Sequence, residues 1–150
     1  MKTPFVLKIL AKPLHLMPAK IPEFISAQVL NQVFKTERKA GELDFLESKM
    51  LIIEVIDLKL QFKFYLHRQR FAQPSKTRQA NIVMSGNSLD FISLIRRQED
   101  PDTLFFQRRL QLSGSTELGL YLKNFLDAFD IESKLPVPLN RFLIRLGIIN

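Results

Sequence analysis

From Lys49 to Gly86 apolar and polar residues alternate with a period near two, whereas before and after this stretch the apolar positions recur every three or four residues. Two or three helices, four strands, a helix, a strand and a final pair of helices are therefore expected. Met50 to Asp57 is apolar on both sides, with Ile52 and Ile56 on one and Leu51, Ile53 and Val55 on the other, which predicts a central strand covered on both faces. In the next strand Leu58, Leu60, Phe62, Phe64 and Leu66 oppose Lys59, Gln61, Lys63 and Tyr65, so a Phe-rich face turns inward. His67 to Gln73 reads as a weaker strand, Pro74 to Lys76 as a turn, and Gln79 to Ser85 as a further strand with Ala80, Ile82 and Met84 inward.

The flanks have the helical period. Near the amino terminus Thr3 can cap and Pro4 suits the first helical position, with Phe5, Val6, Ile9, Leu10 and Met17 on a broad apolar face and Lys8 and Lys12 opposite. Pro13 should kink or end that helix. Ile21 to Lys35 carries Phe24, Ile25, Gln28, Val29, Gln32 and Val33 along one side, as core packing requires. Ser88 is a candidate cap, with Asp90 in the first turn and Phe91, Ile92 and Ile95 on the buried side of the helix it starts. After the Asp100-Pro101 breaker come a paired-Phe turn at Phe105 and Phe106, a strand alternating Leu110 and Leu112 with Arg109, Gln111 and Ser113, and a stop at Gly114. Leu118, Tyr121, Leu122, Phe125 and Phe129 then share one helical face. At the carboxy end Leu139, Phe142, Leu143 and Leu146 form a stripe facing away from Arg141 and Arg145, a helix suited to plain packing, to covering a pocket or to a membrane.

Composition changes this picture in two ways. A chain of 150 residues, 46% apolar and 25% charged, fits one domain with a sizeable core. Its 22 Lys and Arg against 15 Asp and Glu leave +7, which implies an anionic partner such as a membrane face or nucleic acid. Most of the 13 Phe residues are in phase with Leu and Ile, unlike the exposed aromatics of nucleic-acid modules, and this favours lipid. With no cysteine there is neither a disulfide nor a thiolate metal site. No uncharged apolar run reaches the roughly 18 residues of a spanning helix, and Lys8 and Lys12 interrupt the run that a signal peptide would need.

Candidate chemistry is sparse. There is no phosphate-cradling glycine loop, no nucleophile elbow and no His-Glu-x-x-His motif. His15 and His67 stand alone, and Glu99, Asp100 and Asp102 cluster where capping is the ordinary role. No enzyme activity, metal or cofactor is expected. The basic pairs Arg96-Arg97 and Arg108-Arg109 read as a solvated rim or as contacts for anionic head groups beside the paired Phe residues.

LFFQRRLQLSG followed by TELGLYLKN resembles the carboxy-terminal half of sterol carrier protein-type lipid-binding domains. RRQEDPDTLFFQRRL with STELGLYLKNFLDAFD, together with GELDFLESK and VIDLKLQF, is similar to a narrower group, the UbiT-type accessory factors of oxygen-independent ubiquinone biosynthesis. The likeness runs from about Gln28 to Asp130, and Arg108 and Arg109 stand where many soluble carriers have Gly and Lys, so sterol specificity does not transfer. The resemblance implies an α+β fold with a mixed five-stranded sheet covered by helices: a lipid-binding domain over residues 21–134, flanked by amphipathic helices in 1–20 and 135–150. It also implies a cytoplasmic accessory factor, peripheral on the membrane, that presents a prenylated ubiquinone intermediate to a hydroxylase pair of the UbiU-UbiV type. The expected tail contacts are Phe62, Phe64, Phe91, Phe105, Phe106, Leu118, Tyr121, Leu122 and Phe125, with Phe5, Lys8, Lys12, Arg108 and Arg109 at the membrane or head group. A general phospholipid or fatty-acyl carrier is the alternative, and a basic nucleic-acid-binding domain is a third reading.

Overall fold

Five strands, β1 (Met50–Val55), β2 (Leu60–His67), β3 (Arg70–Ala72), β4 (Ile82–Gly86) and β5 (Leu110–Gly114), form one mixed sheet in the order β3-β2-β1-β4-β5. The computed structural model describes residues 5–16, 20–74 and 78–147. Thr3, Pro4 and Met17, with Ser75 and Lys76 of the expected turn, lie outside them, as does the side chain of Leu139. Only β1 and β4 run parallel, and the stretch between them is spanned by the β2-β3 hairpin. The helices are α1 (Phe5–Leu16), α2 (Lys20–Val33), α3 (Lys35–Lys39), α4 (Ser88–Ile95), α5 (Pro101–Phe106), α6 (Thr116–Ala128) and α7 (Val137–Arg145).

The register sets the core. Leu51 pairs with Phe64 and Ile82, Ile53 with Phe62 and Met84, and Met84 with Leu112, so their side chains share one face. Leu51, Phe64, Leu66, Phe71, Ile82 and Met84 are buried there beneath Leu118, Leu122 and Leu126 of α6. Sequence alternation placed the Phe face of β2 correctly. On the opposite face Met50 is buried, Ile52, Glu54, Lys63, Tyr65 and Val83 are half-buried, and Arg78 lies 4.4 Å over the Tyr65 ring. The central strand is covered alike on its two faces, with Leu51 buried and Ile53 and Val55 half-buried on one, and Met50 buried and Ile52 and Glu54 half-buried on the other.

Local chemistry accounts for the remaining differences. β1 stops at Val55, because Ile56–Leu58 turn as a 3-10 helix and Lys59 adopts φ 53° before β2 begins. β2 and β3 are joined by Arg68 and Gln69, both at positive φ, the geometry of a two-residue type I′ turn without its usual glycine. Glu47 supports it by accepting from the Arg68 amide at 2.8 Å. β4 begins at Ile82 rather than Gln79, while Asn81 accepts from the Met50 amide and donates its own to the Met50 carbonyl. In α4 the cap position is Asn87, and Ser88 instead gives its hydroxyl and amide to Asp57, at 2.6 and 2.8 Å. Leu94 is the most deeply buried apolar residue of that helix, with Phe91, Ile92 and Ile95 half-buried.

The first two helices are rotated from their expected phases. α1 runs through Pro13 and turns Leu7, Leu10, Ala11 and Leu14 toward the body, where His15 Nε2 lies 2.8 Å from the Leu58 carbonyl. α2 buries Ala27, Asn31 and Val33 and packs Val29 and Leu30 on the core, so the Val29-Val33 part of the expected stripe holds, while Phe24, Ile25, Gln28 and Gln32 are exposed. The reason is Asn31, whose amide donates to the Phe71 carbonyl and accepts from the Phe71 amide, both at 2.8 Å, so that one side chain completes the outer edge of β3. Arg38 of α3 fastens the same corner through the carbonyls of Asn31 and Gln69.

Candidate functional site

The segment expected as a paired-Phe turn is helix α5. Asp100 is its cap, accepting from the Thr103 amide at 2.9 Å, and Pro101 fills the first helical position, where no amide is needed. Hydrogen bonds from the Thr103 hydroxyl and then its amide hold the Asp100 carboxyl below the ordinary carboxylate range. A lowered carboxyl pKa contributes stability above the ordinary value that is lost only as pH falls through the lowered one, so the cap is intact at neutral pH. α5 sends Leu104 into the core, leaves Phe105 half-buried and holds Phe106 90% exposed.

The way α5 ends separates the two arginines that follow. Arg108 stands at φ 58°, its amide bonded to the Phe105 carbonyl and that of Arg109 to the Leu104 carbonyl, a Schellman close with arginine where glycine is usual. The turn leaves Arg108 exposed and swings Arg109 back to Asp90 at 2.7 Å and Glu99 at 2.6 Å. Glu99 first and Asp90 second raise the Arg109 pKa, and its charge is thus already matched within the fold. Of the two, Arg108 is the cation that faces solvent. Arg109→Met is expected to cost roughly 2–3 kcal/mol in chemical unfolding, because it strands the buried Asp90 carboxylate.

α6 is held along its length. Ser115 caps it by accepting from the Leu118 amide, Lys123 reaches Asp102 of α5 at 2.7 Å, and Arg97 donates to the Asp127 and Phe129 carbonyls at its far end. At Gly119 a Cβ would stand only 3.8 Å from Leu112. α6 therefore lies close over β5.

Between α6 and the sheet is an aromatic layer. Phe34 meets Phe71, Phe125 and Phe129 at ring centroids of 6.3, 5.5 and 4.8 Å, and Phe45 meets Tyr121 at 5.8 Å and Phe125 at 6.5 Å. Among the expected tail contacts Phe64, Leu118 and Leu122 are buried, Phe62, Phe91, Phe105 and Phe125 are half-buried against the core, and Tyr121 is exposed at its margin. Phe62, Phe45, Phe125 and Tyr121 thus leave part of the layer uncovered. Sequence reasoning did not single out Phe45, which stands in a 3-10 turn that periodicity cannot place.

Two open hollows lie on the other side of α6. One of about 510 Å³ runs along β5 between Phe105, Arg108, Leu112, Thr116, Leu120 and Lys123. The other, about 630 Å³, is bounded by Asp102, Thr103, Phe105, Phe106 and Lys123. Of the expected tail contacts only Phe105 and Phe106 border either hollow. On α1 Phe5 is 76% exposed, with Val6, Ile9, Leu16, Lys8 and Lys12 also in solvent. Among the described residues no group of His, Cys, Asp and Glu could hold a metal, and no helix is long and apolar enough to cross a membrane.

The architecture is thus α+β, a mixed five-stranded sheet carrying an aromatic layer under one capped helix. Residues 27–127 match the SCP-2 sterol transfer family, and the chain belongs to that family. Within it the chain is of the UbiT type: it is 38% identical over 139 residues to the Escherichia coli K12 protein named ubiquinone biosynthesis accessory factor UbiT, covering 93% of this chain and 79% of that one. Among solved structures, one titled UbiJ-SCP2 ubiquinone synthesis protein superposes with a TM-score of 0.54 at 14% identity, over 67% of this chain and 89% of that one, a likeness of fold.

Proposed function

We propose that this chain is a non-catalytic carrier that shelters the tail of a prenylated ubiquinone intermediate against its aromatic layer and presents the head group to a hydroxylase pair of the UbiU-UbiV type. The observation that carries this reading is the incomplete cover over Phe62, Phe45, Phe125 and Tyr121 in a chain of the sterol transfer family. The name of the Escherichia coli relative supplies the pathway. Burying a hydrocarbon tail gains roughly 0.8 kcal/mol per methylene-sized group, so a few isoprene units offset the cost of association without a directional polar contact. Native mass spectrometry of protein purified from cells is expected to show a prenylated ring precursor. Phospholipid alone would replace the proposal with a general carrier. Phe125→Asp is expected to reduce the co-purifying lipid at least tenfold while the far-ultraviolet circular dichroism stays that of the parent, and retention of the lipid would remove the aromatic layer from the binding role.

The same reading places the domain peripherally on the cytoplasmic membrane face. Support comes from α1, whose solvent side joins Phe5, Val6, Ile9 and Leu16 to Lys8 and Lys12, from the exposed Val137, Phe142 and Ile144 of α7, and from the net charge of +7. Residues 1–20 and 135–150 then act as surface attachments to a carrier domain of residues 21–134. Phe5→Asp with Ile9→Asp is expected to lower sedimentation with anionic phosphatidylglycerol vesicles at least tenfold, since each apolar side chain withdrawn from water is worth about 1.5–3 kcal/mol when fully buried. Equal sedimentation of the double variant would sink the membrane role of α1.

A further inference from the structure

We propose that the outer edge of β5 is a docking site for an extended acidic segment of a partner protein, which adds to the sheet as a sixth strand. The sheet has two edges, and they are treated differently. Beyond β3 the side chain of Asn31 occupies both ladder groups of Phe71, which closes that edge. β5 has β4 on one side and the 510 Å³ hollow on the other.

The register says which backbone groups face the hollow. The Ser115 amide donates to the Asn81 carbonyl at 2.9 Å, so the pairs Val83 with Ser113 and Ser85 with Gln111 exchange ladder bonds with β4. Leu112 then directs its N–H and C=O outward, as Leu110 and Gly114 do their carbonyls. No described residue pairs with them. β5 reads LQLSG and carries none of the devices that blunt an edge: no Pro, no Lys and no inward charge.

The lining selects the occupant. A hydrocarbon tail laid here would strand these groups, and each stranded group costs more than a methylene of the tail gains. An extended peptide satisfies all of them and sets alternate side chains against Leu120, which is 57% exposed, and Phe105. No residue lining the hollow is acidic, and while Lys123 is matched by Asp102 at 2.7 Å, the exposed Arg108 has no acid beside it among the described residues, so the complementary segment carries Asp or Glu between its apolar residues. The inference is independent of which lipid the aromatic layer holds.

Amide hydrogen exchange of the full chain, followed by NMR during titration with acetyl-Asp-Val-Asp-Val-Asp-Val-amide, tests it. Saturating peptide is expected to slow exchange at Leu112 at least tenfold and leave Gln111 and Ser113, already paired with β4, unchanged. Arg108→Gly, which suits the positive φ and removes the cation, is expected to weaken the peptide several-fold. Leu112→Pro deletes an N–H that the β4 ladder does not use and is expected to abolish binding. Unchanged exchange at Leu112 in the parent protein would overturn the proposal, as would equal affinity for a Lys-Val peptide of the same length. Protection of Leu112 that grows with protein concentration in the absence of peptide would also overturn it, by giving the edge to a second copy of the chain.

Discussion

Gly114→Ala is expected to lower the unfolding free energy by on the order of 3–4 kcal/mol and the thermal midpoint by roughly 10 °C. Gly114 closes β5 at φ 104°, and a Cβ there would stand 2.4 Å from the Asn81 carbonyl oxygen, 3.1 Å from the Asn81 carbonyl carbon and 3.2 Å from the Ile82 Cα. All three are backbone atoms, so none can rotate aside. Asn81 is itself fixed by its two bonds to Met50 and by the Ser115 amide on its oxygen. Relief must come from β5 and Ser115, which would misplace the cap of α6. Differential scanning calorimetry of the variant decides the matter, and a midpoint within about 2 °C of the parent would contradict the close approach.

Asn31→Leu is expected to cost roughly 2–6 kcal/mol, because it keeps the volume but leaves the Phe71 amide and carbonyl without partners in a buried place, at about 1–3 kcal/mol each. Urea unfolding should show a lower midpoint with an unchanged slope. In hydrogen exchange the Phe71 amide should lose protection while Leu66, across the hairpin, keeps most of its own. A variant as stable as the parent would mean that water takes over both bonds, and that the edge of β3 is not closed by Asn31.

The sequence made the Phe face of β2 and the leucine stripe of α6 legible, because each rests on a repeat that only one kind of element satisfies. The family likeness supplied the mixed five-stranded sheet. Elsewhere the same residues had two local meanings. Asp100 and Pro101 interrupt a pattern when read as a break, yet they are also a cap and a first helical residue, and the structure uses them so to begin α5. α2 was placed out of phase because its apolar stripe outvoted Asn31, whose partner Phe71 lies 40 residues away. The Arg68-Gln69 turn lacks glycine and depends on Glu47, 21 residues earlier. Arg108 and Arg109 are equivalent as letters. Only the left-handed turn between them, with Asp90 and Glu99 waiting on one side, makes the first available to a partner and the second a fastening.

The first helix has grease on its front and its back. Because Leu7, Leu10, Ala11 and Leu14 hold it against the body, on the proposed membrane reading it would already be wound on meeting a bilayer, unlike a peptide that must coil on arrival. Touching down would then require no loss of backbone freedom, and lifting off would restore none. The few exposed side chains would thus serve attachment alone and not the winding of the helix, and the part contributed by Lys8 and Lys12 would be loosened by salt.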